Sequence, residues 1–405
     1  MNNSKIFILL ISFFFIFSLN IIDTSIKILN KHYARVMENH RLSMKKKLKK
    51  KINIAIFCYC LRNGGRARVS SLLASFLYSI KIFNVILITR RPKETSEYII
   101  PTDIKRIIFN DNLEQIIKYY KIDILIYELD EEKEMNLLNK MTDIKVIFYQ
   151  HSSIFYYIYT NYTKFKDIYK SYRKSKYLIS IVPFENYYLF KKWGIPSIYM
   201  DSFVSFNYDR VIPSSLSENN ILLIGRGEDK NKRFHLGIHS MEYIKDEILD
   251  AKLLIISNLT KIYKLKNLVN NLNINKYVKF IAFTSTPEIY FKNSSINYFL
   301  SISESFGLVL YETKIYNIPN ILMGIDYVSI SKGGTYVIYD DQPESLAKLS
   351  INILKNHMLK KKIGKLARRS VKHLNNTNLF CRWIELILKI FNDDFVISQK
   401  VINIR

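Results

Sequence analysis

Cysteine is nearly absent from this chain, with Cys58, Cys60 and Cys381 the only three in 405 residues. Three thiols imply no disulfide scaffold, and no Cys-x-x-Cys pair or zinc-finger spacing accompanies them. Cys58 and Cys60 stand at i and i+2 at the end of the first expected strand, where the extended backbone holds them too far apart to bridge readily, so they should stay unpaired. Metal ligands are equally thin. The seven histidines are dispersed, no Asp-x-Asp follows an expected strand, and Asp130-Glu131-Glu132 and Asp340-Asp341 read as solvated turn charges, so no metal site is expected. Acidic residues are outnumbered, 35 Asp and Glu against 61 Lys and Arg, for a formal net charge of +26. No nucleic-acid-binding signature goes with that charge: zinc-finger, helix-turn-helix and RNA-recognition patterns are all missing. Glycine is scarce too, 11 residues in all, which lends weight to a Gly-Gly pair where one occurs.

What the chain does have is apolar mass. Hydrophobic residues make up 48% and aromatics 14%, enough for a sizeable core, and 405 residues suggest two domains. Ile, Lys, Asn and Tyr are used heavily from end to end, so much of the lysine excess is compositional. The surface is nonetheless cationic and suits anionic lipid head groups or nucleotide diphosphates.

Short apolar runs predict strands at Ile52–Phe57, Val85–Thr89, Ile122–Tyr127, Lys145–Tyr149 and Tyr177–Val182. A second series follows at Ile221–Ile224, Lys252–Ile256, Val278–Ala282 and Ile296–Leu300, with helical segments between strands in both series. The stretch Asp201–Asn220, with Pro213 and three nearby serines, reads as a linker. The pattern predicts two Rossmann-like parallel-sheet α/β domains facing each other across a cleft. The expected divisions are 51–205 for the first domain, 220–375 for the second, and 376–405 for a terminal helical segment containing Trp383.

Residues 1–25 carry the continuous apolar stretch Ile6–Leu19, extended by Ile21 and Ile22. It is short for a membrane span and has no small-residue cleavage site, so it reads as an uncleaved hydrophobic anchor, with a cleaved signal peptide as the alternative. Residues 26–50 form a basic juxtamembrane segment. Ten Lys or Arg between Lys27 and Lys51 stand against Lys5 and the amino terminus, which favours a single-pass protein whose domains face the cytosol; the lumen of the endoplasmic reticulum or Golgi is the alternative.

Three loops carry candidate chemistry. Gly64-Gly65 separates the first strand from the helix expected at Ser70–Ser79. Gly225-Arg226 ends another strand, and Lys232 follows; a planar guanidinium and a point charge together suit a diphosphate. The third is Ser303-Glu304-Ser305-Phe306-Gly307-Leu308, which leads into a helix bearing Glu312. A helix start with free N–H groups is a ready anion site, and the glutamates are acceptors for hydroxyl groups. His151 follows the strand ending at Tyr149, at an edge where α/β clefts place functional groups.

In this order, Gly225-Arg226, Lys232, Glu304, Phe306-Gly307, Glu312 and Pro319 resemble the donor half of a GT-B retaining glycosyltransferase of family GT4, the group 1 glycosyltransferases. The resemblance extends over most of the chain from Lys51. Two departures stand out: Asn317 occupies the place of a family glycine, and Ala67-Arg68 keeps the arginine but loses the glutamate of a common Glu-Arg pair. The resemblance implies transfer of a sugar from a nucleotide-sugar co-substrate, with retention and without metal or other cofactor. Glu304 and His151 would serve at the reacting sugar. Arg226, Lys232 and the Gly307 and Leu308 amides would hold the diphosphate, with Phe306 in the same loop. Glu312 would bind the ribose, and Gly64 and Gly65 would face phosphate or acceptor. It also implies a terminal helix that crosses back onto the first domain. The basic flank favours a glycan, glycolipid or lipid-linked acceptor at a membrane, and no nucleic-acid partner. Readings from other classes are an inactive nucleotide-sugar-binding module and a basic membrane-surface protein.

Overall fold

The computed structural model describes residues 51–393 apart from 63, 95–96, 205, 207, 227–228, 285, 324–332 and 375. The anchor and the basic segment expected at 1–25 and 26–50 lie outside the described residues. Among the described residues no helix is long and apolar enough to cross a membrane.

Two wholly parallel sheets form the scaffold. The first has seven strands in the order β3-β2-β1-β4-β5-β6-β7. These are β1 (Ile52–Cys58), β2 (Phe83–Thr89), β3 (Lys105–Ile108), β4 (Ile124–Tyr127), β5 (Lys145–Gln150), β6 (Tyr177–Ser180) and β7 (Ile198–Tyr199). The second has six in the order β10-β9-β8-β11-β12-β13. Its strands are β8 (Asn220–Ile224), β9 (Lys252–Ser257), β10 (Val278–Ala282), β11 (Ile296–Phe299), β12 (Asn320–Met323) and β13 (Thr335–Ile338). Helices on both faces explain why the inner strands read as unbroken apolar runs rather than alternating ones.

The order in which the chain adds strands reverses once in each sheet, between β1 and β4 and between β8 and β11. At such a switch point the loops leaving two neighbouring strands diverge and open a crevice at the strands' C-terminal ends. Every loop singled out from the sequence leaves one of these four strands, or β5 beside them.

The sheets share a core. One cluster runs from Ile52, Ile54 and Ile56 through Trp383 and Ile387 to Leu222, Leu254 and Tyr311, while each sheet keeps a separate cluster on its other face. The helix Asn376–Phe391 supplies much of the join. Trp383 is buried edge-on to Tyr149, at a centroid distance of 5.1 Å, and Phe380 stacks on Phe76 at 3.9 Å. Arg368 ties the connecting segment to the second domain by donating to the carbonyls of Ile315 (2.5 Å), Tyr208 (2.7 Å) and Val211 (3.2 Å).

Asn317 sits at φ 62° and closes the helix Leu308–Ile315 in the left-handed conformation expected of it. The described cysteines are free, with Cys58 buried and Cys60 partly exposed. Strands β3, β7, β12 and β13 are additions to the sequence reading. Asp130 is a correction, since its carboxylate is 8% exposed and tied into the first domain rather than solvated.

Candidate active site

The second domain's half of the cleft starts where β8 ends. Gly225 is required there by close approach: a Cβ would lie 2.9 Å from both Cγ of Lys232 and Cζ of Phe234. The lysine stem thus lies over the strand end. Its ammonium donates to Oγ of Ser301 at 3.1 Å and pairs with the Glu304 carboxylate. Asn231 braces the same loop, accepting from the Ile302 amide at 2.9 Å through its carbonyl and from the Ser303 amide at 3.3 Å through Oδ1. This bracing residue escaped the sequence reading, although it sits directly before Lys232. Arg226 is exposed at the loop's mouth.

Gly307 caps the helix Leu308–Ile315 at φ 72°, and a Cβ there would strike Phe299 at 2.9 Å. Only glycine tolerates both constraints. Phe306 is a correction: it is 3% exposed and stacks on Tyr311 at 4.3 Å, so it packs the loop down and presents no face to a ligand.

Across the cleft, Gly64 and Gly65 open the helix Gly65–Ser79 and meet the second domain directly. A Cβ at Gly64 would come within 4.0 Å of Arg226 Cδ, and one at Gly65 within 3.1 Å of Leu308 Cδ1. One turn on, Arg68 pairs with Glu312. Burial works against the charge on Arg68, but the Glu312 carboxylate and Tyr98 hold its pKa above the ordinary arginine range. Glu312 is 1% exposed. The carboxylate expected to meet a ribose is therefore enclosed by Arg68 in this closed arrangement. Burial, with the Glu312 charge adding to it, also pushes the nearby Glu288 carboxyl upward.

The first domain adds a polar group at the ends of β4 and β5. Glu128 and His151 are both buried, with Oε1 of one 3.6 Å from Nε2 of the other. Arg66 donates to Oγ of Ser152 at 2.6 Å and reaches Asp130 at 3.4 Å, and the Tyr157 hydroxyl donates to Asp130 at 3.1 Å. Glu128 and Arg66 were not picked out from the sequence, and Asp130 was read there as a solvated turn charge; the signal that finds Glu128 and Asp130 is their position just past a switch-point strand. Among the described residues no group of three or more His, Cys, Asp or Glu is placed to hold a metal ion.

The site therefore offers a paired carboxylate and ammonium, an exposed guanidinium and a glycine-capped helix start on one wall. A second glycine-led helix start and a carboxylate–imidazole pair stand on the other. Residues 205–370 match the family model of group 1 glycosyl transferases. That segment holds Gly225, Arg226, Lys232, Glu304 and Glu312. Over 170 residues the chain is 29% identical to N-acetyl-alpha-D-glucosaminyl L-malate synthase of Bacillus anthracis; the match takes in 41% of this chain and 44% of the synthase's length. Among solved structures it resembles sucrose-phosphate synthase of Thermosynechococcus elongatus, with a TM-score of 0.72 at 15% identity, covering 85% of this chain and all of the other. It also resembles Anabaena HepE solved with UDP and glucose, with a TM-score of 0.68 at 10% identity over 84% of this chain and all of that one. At these identities the likeness establishes a shared fold: two Rossmann-like parallel-sheet domains, as in GT-B enzymes.

Proposed function

We propose that the protein is a retaining, metal-independent glycosyltransferase that moves a sugar from a nucleotide-sugar donor to an acceptor held by the first domain. The observation that carries this reading is the placement of Arg226 and Lys232 after β8 and of Glu304 and Glu312 after β11, the two strands at the second sheet's switch point, within the segment that matches group 1 glycosyl transferases. Arg226 and Lys232 bind the diphosphate and offset the negative charge that builds on the leaving group, aided by the Gly307 and Leu308 amides. Fixed cations and a helix start thus supply the stabilisation that a divalent ion gives elsewhere. Glu304 accepts hydroxyls of the transferred sugar, and Glu312 those of the ribose. HepE, a neighbour of the same fold, was solved with UDP-glucose, which makes uridine nucleotides the first donors to test.

The acceptor in this reading is a membrane-associated glycan or glycolipid. The protein is anchored through residues 6–22 with its domains toward the cytosol, and the lumen of the endoplasmic reticulum or Golgi is the alternative. Thermal-shift screening of nucleotide-sugars, followed by donor hydrolysis in EDTA and anomer assignment of the product, tests the chemistry. No nucleotide release with any stabilising donor would leave a binding module instead. Protease treatment of sealed microsomes tests the orientation: cytosolic domains are digested without detergent, luminal ones are protected.

A further inference from the structure

Glu128 has no place in the transfer scheme above, yet its surroundings are too specific for a filler carboxylate. It directly follows β4, and its amide is held by the Phe57 carbonyl at 3.0 Å, which fixes its backbone in the ladder beside β1. Oε2 accepts the hydroxyl hydrogen of Ser70, from the helix that begins at Gly65. Oε1 is buried without a hydrogen-bond partner, and so is Nε2 of His151. These two orphan atoms face each other at 3.6 Å.

Unpaired buried polar atoms are costly, and two of opposite character at this separation satisfy each other after a shift of a few tenths of an ångström. The contact is attractive only if Nε2 carries hydrogen, because a nitrogen lone pair would face a carboxylate oxygen otherwise. Ring geometry then turns Nδ1 to the opposite edge of the imidazole. Packing fixes the plane of the ring: its centroid lies 4.1 Å from that of Tyr149, which is itself held edge-on to Trp383.

We propose that Glu128 is a positioning residue that sets the tautomer and rotation of His151, holding hydrogen on Nε2 so that Nδ1 is left as the acceptor for a sugar hydroxyl. The role of Nδ1 rests on the transferase reading; the tautomer does not. A carboxylate that orients an imidazole through one nitrogen while the other meets the ligand is a general device for histidine at work in a site.

The two parts are separable in experiment. Full-length protein labelled with 15N in its histidine rings gives the tautomer of each ring by long-range 1H–15N correlation, with His151 assigned by its absence in His151→Gln. The expected spectrum has hydrogen on Nε2 of His151. It persists in Glu128→Gln, which still accepts a hydrogen bond, and becomes a tautomer mixture in Glu128→Leu. Hydrogen on Nδ1 in the unaltered protein overturns the contact, and this outcome needs neither Glu128 variant to fold. In transfer assays Glu128→Leu should lower kcat by up to about a hundredfold, as expected for a misplaced reacting group. Glu128→Gln should keep most of the activity, and Glu128→Leu combined with His151→Ala should be no slower than His151→Ala alone. Additive losses would show that Glu128 acts independently of His151 and would overturn the positioning role, as would full activity in His151→Ala. Absence of transfer with every donor would count against the functional reading instead, leaving the tautomer to decide the contact.

Discussion

At the residue scale, the pairing of Lys232 with Glu304 is the feature on which the proposed donor chemistry turns. Each holds the other and both are partly exposed, so a sugar diphosphate bound as proposed could exchange partners with them. Glu304→Ala should therefore abolish transfer while leaving the melting temperature close to that of the parent, since the side chain lies in a loop and fills no core. Arg226→Ala should lower kcat/KM by about 2–4 kcal/mol in transition-state terms, the usual cost of a lost leaving-group contact. Unchanged kinetics in both variants would remove the site from these two loops. Lys314, two residues beyond Glu312, supplies a different test. Burial alone pushes its pKa down to about 7 from the ordinary lysine value of 10.5. Between these two values the unfolded chain binds the proton and the folded protein does not, so stability rises with pH through that window and the gain is absent below pH 7. Lys314→Met should raise stability most at pH 6–7 and flatten the rise toward pH 10, as read from thermal unfolding across that range. A parallel pH dependence in parent and variant would show that Lys314 is charged when folded.

At the element scale, the central strands were legible because a parallel strand covered on both faces must be apolar throughout. The runs at Ile52, Ile124, Ile221 and Ile296 could be little else. Of the outer strands, Val278–Ala282 was legible and the others were not. Lys105–Ile108 is an edge strand of four residues with exposed ends, and Ile198–Tyr199 spans only two. The run at Asn320–Met323 follows a proline that reads first as a helix stop. The glycines and charges of the site were legible as residue types at strand ends. Their partners were not, because Arg68 with Glu312 and Glu128 with His151 are joined only by the crossing of the chain over the two sheets. Phe306 was misjudged for a related reason: its place in a functional loop gave no sign of Tyr311 beneath it. The helix His357–Ser370 shows how tightly these elements pack. A Cβ on Gly364 would fall 2.1 Å from the carbonyl oxygen of Asn317, the residue that ends the helix carrying Glu312. Gly364→Ala should accordingly destabilise the protein by more than the roughly 1–3 kcal/mol of ordinary overpacking, visible as a fall in urea midpoint. An unchanged midpoint would mean that the two helices separate without cost.

At the scale of the whole molecule, one buried ion pair spans the cleft. Glu312 is enclosed and its partner Arg68 belongs to the other domain. Arg68→Ala would strand a buried carboxylate, which typically costs about 3–5 kcal/mol; here the cost falls on the contact between the domains. The expected outcome is a larger radius of gyration by small-angle scattering in the nucleotide-free variant, reversed when Glu312→Gln is added. Identical scattering curves for parent and variant would assign the closure to the shared apolar core alone.

The guanidinium of Arg368 has a mechanical meaning beyond its three hydrogen bonds. It fastens Tyr208 and Val211 of the connecting segment to Ile315, the last residue of the helix on which Glu312 rides. That segment, between β7 and β8, is where the chain first passes from one sheet to the other. The connecting segment and the helix that carries Glu312 are thus clamped to a common bracket. Loosening the bracket would leave the groups proposed to meet the substrate in place, each on its own domain. What would change is the angle at which the two halves present those groups to each other, so kcat and KM would move together.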